Sequence, residues 1–349
     1  MQGRDDRLKS EASLFRSVHL GHSSRLLDIH FKPAGWCPGA HTQTIFAHLY
    51  RPAPKIQYQR RRLETPDGDF LDLDFLPGHK DAPLVLILAG LEGNAWSKYV
   101  RSLVNEIQKM GWRACAMNYR GSSGERNRLP QTYHSGKTED VDSVVNALME
   151  VEYPRKIFMV GYSIGGNMLL KWLGEQGSKA RDKVERAMAV SVTYDLEKSV
   201  GLMDRGFNRE IYTRKLLTQL KWKAFWKQKQ FPQKLFDPWK VWFSSTFKEF
   251  DHEVTAPLNG FQGAFDYWSR SSCLKFLPDI RVQTALLHSE DDPFFPGALF
   301  PHDAVKRSEY LETIWTLHGG HLGFVTGDKP GRMDPWLEHT ILQFLSSKK

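Results

Sequence analysis

An apolar run from Ile157 to Val160 stops at Gly161, Ser163 follows between Gly161 and Gly165, and Met168 to Leu173 then reads as a helix. This pattern describes a buried strand, a very tight turn and a helix. The turn brings strand and helix so close that a Cβ at Gly161 or Gly165 would clash. The serine sits at the tip in a strained conformation, its hydroxyl above the sheet. At a helix N-terminus it is also placed where negative charge is favoured.

The rest of the chain is read around that stretch. Ile56 to Leu63 and Phe70 to Phe75 alternate with a period of two around Pro66-Asp67-Gly68, which predicts a hairpin. Leu84 to Ala89 is a continuous apolar run, expected of a strand covered on both faces. It is followed by a helix from about Ser97, a strand from Arg113 to Met117 and a helix from Glu139 to Glu150. After the serine turn come a strand from Ala187 to Val192, a strand from Arg281 to His288, a helix from Gly297 to Ser308, a strand from Leu311 to Leu317 and a helix from Trp336 to Leu345. Alternating strands and helices predict an α/β fold: a mostly parallel central sheet with helices on both faces. The alternation breaks over residues 196–277, which read as helices rich in Trp, Phe and Lys. The expected organisation is a polar extension over 1–30, core over 31–195, a helical lid or cap over 196–277 and core again over 278–349. Pro33 to Thr44, rich in turns, leads into a short helix at Ile45 to Leu49, expected to pack against the sheet.

Composition narrows the function classes. No apolar run is long enough to span a bilayer, and the charged first sixteen residues lack the apolar centre of a signal peptide. Three cysteines, Cys37, Cys115 and Cys273, are odd in number and widely spaced, which predicts a reducing, cytoplasmic setting. The net charge is +8. No zinc spacing, helix-turn-helix cue or RNA-binding aromatic signature accompanies it, so nucleic acid is not an expected partner. Much of the charge falls between Arg205 and Lys240, interleaved with Trp and Phe, a pattern suited to peripheral contact with an anionic membrane.

A serine hydroxyl is a weak nucleophile and needs a histidine base held in one tautomer by a carboxylate. For a serine on this kind of turn, the acid and then the histidine follow along the chain at strand ends. The strand ending at His288 runs into Glu290-Asp291-Asp292-Pro293. Asp292, just before the proline, is the chosen acid, with Asp291 as the alternative. The strand ending at Leu317 runs into His318-Gly319-Gly320-His321, and His321, flanked by glycines, is the chosen base. His318 is read as structural. The backbone N–H of Ile164 and that of Leu91, in the turn after the Leu84–Ala89 strand, are the expected oxyanion donors. The glycine-rich Arg120 to Gly124 is expected to shape the pocket. No cofactor and no metal are called for: there is no H-E-x-x-H, no Walker loop, and no companion ligand near Glu290 to Asp292.

Several motifs carry a resemblance: Gly90-Leu-Glu-Gly93, Asn118 to Arg128, Tyr133-His-Ser-Gly136, Gly161 to Asn167, Asp291-Asp-Pro-Phe294 and Gly319 to Phe324, with Pro38 to Thr44 early and Asn259-Gly-Phe261 late. In this order and spacing they resemble the YheT-like branch of the α/β-hydrolases, related to the eukaryotic abhydrolase-domain lipases, over about residues 30 to 345. The resemblance implies a serine carboxylesterase or lipase-like enzyme acting on a small acyl ester, with Ser163, Asp292 and His321 as its catalytic set. One departure is visible: Ala89 stands where the family usually has a histidine before the Gly-Leu-Glu-Gly turn. A thioesterase or amidase on the same triad, and a hydrolase fold that binds without turnover, are the alternative readings.

Overall fold

A computed structural model describes residues 30–152, 154 and 156–347. Of the polar extension expected over 1–30, residues 1–29 lie outside the described residues. An eight-stranded sheet has the order β1-β2-β4-β3-β5-β6-β7-β8. Its strands are β1 (Gln59–Glu64), β2 (Phe70–Leu76), β3 (Leu84–Leu88), β4 (Arg113–Asn118), β5 (Ile157–Tyr162), β6 (Val184–Val190), β7 (Thr284–Ser289) and β8 (Leu311–Thr316). β1 and β2 form the antiparallel hairpin expected from the period-two alternation, and β2 joins β4 antiparallel. All pairings from β4 through β3, β5, β6 and β7 to β8 are parallel.

The described helices of eight or more residues are α1 (Ala40–Tyr50), α2 (Lys98–Lys109), α3 (Thr138–Val151), α4 (Ile164–Gln176), α5 (Leu196–Met203), α6 (Arg214–Gln230), α7 (Ala264–Ser271) and α8 (Trp336–Ser346). All five residues of β3 are buried, so both of its faces are covered. α2 packs beside α8, and α3 beside α4. Val100, Leu103, Val104 and Ile107 put one apolar stripe of α2 into the core, and Val141, Val144, Val145 and Leu148 do the same for α3.

One element differs from its sequence expectation. The helix predicted over residues 297–308 is two pieces, a single turn at Gly297–Leu299 and a short helix at His302–Lys306. Pro301 separates them. Its ring disfavours helical backbone at the preceding residue, and Phe300 is extended, with φ −62° and ψ 138°.

Between β6 and β7 the described chain is helices and turns, with no strand. This segment has an apolar cluster of its own, built on Met203, Tyr212, Leu217, Phe247, Phe250 and Val254. It is seated on the core by specific polar contacts. Lys227 Nζ donates to the Asn127 and Leu129 carbonyl oxygens at 3.0 and 2.9 Å. Lys223 Nζ reaches the Glu92 carboxylate at 3.0 Å.

Arg51, the C-cap of α1, donates to Glu338 of α8 at 2.9 Å and to the Leu322 and Gly323 carbonyl oxygens at 2.9 and 2.7 Å. The side chains of Arg51 and Glu338 are 5% and 0% exposed. Removing one member leaves a buried charge uncompensated. Arg51→Met is therefore expected to lower stability by about 3–5 kcal/mol in urea unfolding. Adding Glu338→Gln should recover part of that loss.

Candidate active site

The turn after β5 has the geometry its glycines predict. Ser163 sits at φ 53°, ψ −119°, a conformation that L-residues rarely adopt, and α4 begins at the next residue. A Cβ on Gly165 would lie 2.3 Å from the Ala89 carbonyl oxygen and 2.4 Å from that of Leu88. A Cβ on Gly161 would lie 2.6 Å from the Gly165 carbonyl oxygen. The end of β3 and the start of α4 thus touch backbone to backbone, and the strain at Ser163 is held by that contact. Its own N–H donates to the Val190 carbonyl oxygen at 2.9 Å.

His321 arrives from the loop after β8, and its Nε2 is 3.0 Å from Ser163 Oγ. On the other side of the ring, Nδ1 is 2.9 Å from Asp292 Oδ2 and 3.2 Å from Oδ1. Asp292 is completely buried, and Ser163 and His321 are nearly so. Burial pushes the Asp292 carboxyl up, but the facing His321, its hydrogen bond, His288 and the Phe294 N–H together hold it below the usual carboxylate range. Asp292 Oδ1 also accepts from the Phe294 and Phe295 amides at 2.8 and 3.2 Å, which fixes the carboxylate plane. The Phe294 ring stacks on the imidazole with centroids 4.0 Å apart.

Of the two aspartates that the sequence offers, Asp292 meets His321. Asp291 accepts instead from the Gly320 amide at 2.9 Å and faces His318 at 3.3 Å. It ties down the loop that carries the histidine. Sequence reading did not find that role, nor that of α1. α1 was expected only to pack against the sheet, yet it grips the same loop. Thr44 Oγ1 accepts the His321 amide at 2.9 Å. Gln43 accepts the Val325 amide at 2.6 Å and donates to the Val325 carbonyl oxygen at 3.2 Å. Gly320, at φ +58°, comes so close to α1 that a Cβ there would lie 2.4 Å from the Ala40 carbonyl oxygen. The one available signal was Pro38 to Thr44, a conspicuous motif without a task of its own.

The turn after β3 carries the other expected groups. Three tyrosine hydroxyls clamp it. Tyr119 donates to the Ala89 carbonyl oxygen at 2.6 Å, and Tyr99 and Tyr133 accept the Gly90 and Glu92 amides at 2.8 and 3.0 Å. They hold the turn firmly with alanine at position 89. Between the two engaged amides, the Leu91 N–H has no protein acceptor among the described residues. The Ile164 N–H is likewise unengaged, being the first of its helix. Leu91, Ile164 and Ser163 line one cavity of about 110 Å³, roofed by α5 and α6 through Val200, Met203, Leu216 and Leu220. A larger groove of about 920 Å³, lined by Trp36, Asp334, Trp336 and His339, contains none of the three candidate residues.

The loop from Arg120 to Gly124, expected to shape the pocket, does not line the cavity. The Arg120 guanidinium is buried and bidentate to Asp140 of α3 at 2.8 and 2.6 Å, and it also reaches Asp67 and Asp69 of the hairpin turn. It braces hairpin to helix.

The family described as the alpha/beta hydrolase fold matches residues 83–328. The Escherichia coli (strain K12) protein YheT, which carries an esterase name, is 35% identical over 91% of this chain and 93% of its own length. A phospholipase, ABHD3 of Homo sapiens, is 28% identical over 91% of this chain and 78% of its own. Among solved structures, an esterase from Exiguobacterium antarcticum superposes with a TM-score of 0.55 at 17% identity, over 83% of this chain and all of that one, a likeness of fold. With this sheet, this serine turn and these relatives, the chain belongs to the α/β-hydrolase family, in the YheT-like branch related to the eukaryotic abhydrolase-domain proteins.

Proposed function

We propose that the protein is a serine ester hydrolase in which Ser163, His321 and Asp292 work as one unit. The observation that carries the reading is the continuous hydrogen-bonded line from the Ser163 hydroxyl through the imidazole to a buried, ionised carboxylate. His321 Nε2 takes the hydroxyl proton as Ser163 Oγ attacks the ester carbonyl. Asp292 holds the Nδ1–H tautomer and stabilises the imidazolium that forms. The tetrahedral oxyanion is met by the Leu91 and Ile164 amides, each worth roughly 3 kcal/mol where such donors have been removed. His321 returns the proton to the leaving alcohol. Water, activated by the same imidazole, then releases the acid from the acyl-enzyme. The helical segment over 196–277 acts as the lid, excluding bulk water from the cavity. Thioesters and amides pass through the same steps. The ester reading is preferred because the relatives carry esterase and phospholipase names.

A second observation concerns where the substrate is met. Trp222, Trp239, Trp242 and Phe243 are 60%, 73%, 58% and 72% exposed, all within the helical segment. Lys234 and Lys240, 66% and 64% exposed, are interleaved with them along the chain. Aromatic side chains bordered by lysines fit an interface of anionic headgroups and acyl chains. The proposed setting is therefore cytoplasmic, with peripheral contact at the inner, anionic face of a membrane.

Three expected outcomes test these readings. Ser163→Ala should abolish p-nitrophenyl butyrate hydrolysis and fluorophosphonate labelling without changing the circular dichroism spectrum, and Asp292→Asn should lower kcat about 10⁴-fold. Undiminished turnover in Ser163→Ala ends the proposal. In the pH profile, Asp292 stays ionised because its carboxyl is lowered, and the stability it contributes is lost only as pH falls through that lowered value. Above the ordinary carboxylate range Asp292 should therefore add no protonation step to the acid limb of kcat/KM, and a slope of two there would contradict the assignment. Finally, the protein should co-sediment with phosphatidylserine vesicles at low salt and dissociate as salt is raised, and Trp239→Ser with Phe243→Ser should weaken that binding.

A further inference from the structure

The cavity beside Ser163 is not uniformly apolar. Away from Leu91, Met203, Leu220 and Phe247, its lining includes His134 and Asp251, which the proposed ester chemistry does not use. His134 comes from the loop before α3 and Asp251 from the helical segment, so core and lid each contribute one group.

Asp251 is 9% exposed. Its Oδ1 accepts from Thr255 Oγ1 at 2.7 Å and its Oδ2 from Trp268 Nε1 at 2.8 Å. No cation reaches it among the described residues. Burial pushes the carboxyl up to about 6, against the Thr255 and Trp268 hydrogen bonds. A carboxylate has about four lone-pair sites, so two donors leave Asp251, a residue of the cavity lining, with spare acceptor capacity.

His134 is 8% exposed, its ring edge-on to Phe261 and Tyr267 at centroid distances of 5.1 and 5.7 Å. Its Nδ1 accepts the Gly136 amide at 3.2 Å, which puts the ring proton on Nε2. Nε2 has no protein partner among the described residues. Burial, with Lys137 and Lys171 adding to it, pushes the imidazole down to about 3, so the ring is neutral under working conditions. The two residues are joined through the adjacent pair Tyr267 and Trp268. Tyr267 bonds Ser135, the neighbour of His134, at 2.9 Å, while Trp268 bonds Asp251.

A neutral N–H donor and an acceptor with spare capacity, in one small cavity, together select the functional group that fits both. A hydroxyl accepts from one and donates to the other. An ammonium leaves the His134 donor unanswered, and an anion meets the Asp251 carboxylate. We infer that His134 and Asp251 form a hydroxyl-binding subsite in the cavity of Ser163, and that the ester handled there carries a free hydroxyl within a few atoms of its scissile bond. The short reach follows from the cavity volume of about 110 Å³. The inference rests on the ester-hydrolase reading.

The test compares kcat/KM for three esters: propyl butyrate, 2-hydroxypropyl butyrate and propyl 3-hydroxybutyrate. The second carries the hydroxyl on the alcohol side and the third on the acyl side. The wild-type protein is expected to prefer one hydroxylated ester over propyl butyrate by at least about tenfold. His134→Phe and Asp251→Asn should bring that ratio close to one. Equal rates on all three esters in the wild-type protein would overturn the subsite and leave the esterase reading standing. So would variants that lose rate uniformly on all three, the signature of a merely structural role. No turnover of any ester, with no fluorophosphonate labelling of Ser163, would remove the esterase reading and the subsite with it. The wild-type ratio decides even if a variant fails to fold.

Discussion

The structure depends on one steric fact, the approach of the α4 N-terminus to the carbonyls of Leu88 and Ala89. Only a residue without a side chain fits at position 165, where a Cβ would lie 2.3 Å from backbone oxygen. That contact sets the crossing of α4 over β3 and β5, and it holds Ser163 in a left-handed conformation that would otherwise relax. It also sets the Ile164 amide beside the turn that carries Leu91. Ser163 and both candidate oxyanion donors thus come from a single packing event between two backbone segments.

His321 is placed by a different mechanism. Glycines let its loop pass close, but they also make it pliable, so polar contacts must fix it. Thr44 holds the His321 amide, Asp291 the Gly320 amide, and Arg51 the carbonyls of Leu322 and Gly323. These are hydrogen bonds to backbone, which constrain the loop's path and leave the imidazole orientation to Asp292 and the stacked Phe294. A buried polar network of this kind is stable only when its members are satisfied. The helical segment between β6 and β7 is joined to the core with similar economy: Lys223 bonds Glu92, the residue after Leu91.

What could be read from the residues was local. Period-two alternation located the hairpin, a continuous apolar run located β3, and glycines bracketing a serine located the tight turn. The order of serine, acid and histidine along the chain then led to the three side chains that meet. The Asp291–Asp292 choice rested on the neighbouring proline. Geometry separates the two aspartates more sharply, since one bonds the imidazole and the other bonds backbone. The work of α1 was illegible because its contacts span 277 residues between Thr44 and His321 and leave no periodic trace. The tyrosine clamp on the turn after β3 was illegible for the same reason, its hydroxyls coming from three separate elements. The helix broken at Pro301 follows a local rule that is legible in the residues themselves.

The Arg51–Glu338 bridge and the Thr44 contact have a consequence for how this protein can be divided. The segment matched by the family, residues 83–328, contains the serine, the aspartate and the histidine. It omits both ends of the clamp, α1 and α8, through which the histidine loop is anchored. A fragment trimmed to the matched borders would carry Ser163, Asp292 and His321 in its composition while lacking the fastening that brings the third of them to the other two. The unit that assembles the candidate site is therefore longer than its recognisable signature, and α1 and α8 belong to that site as much as to the scaffold.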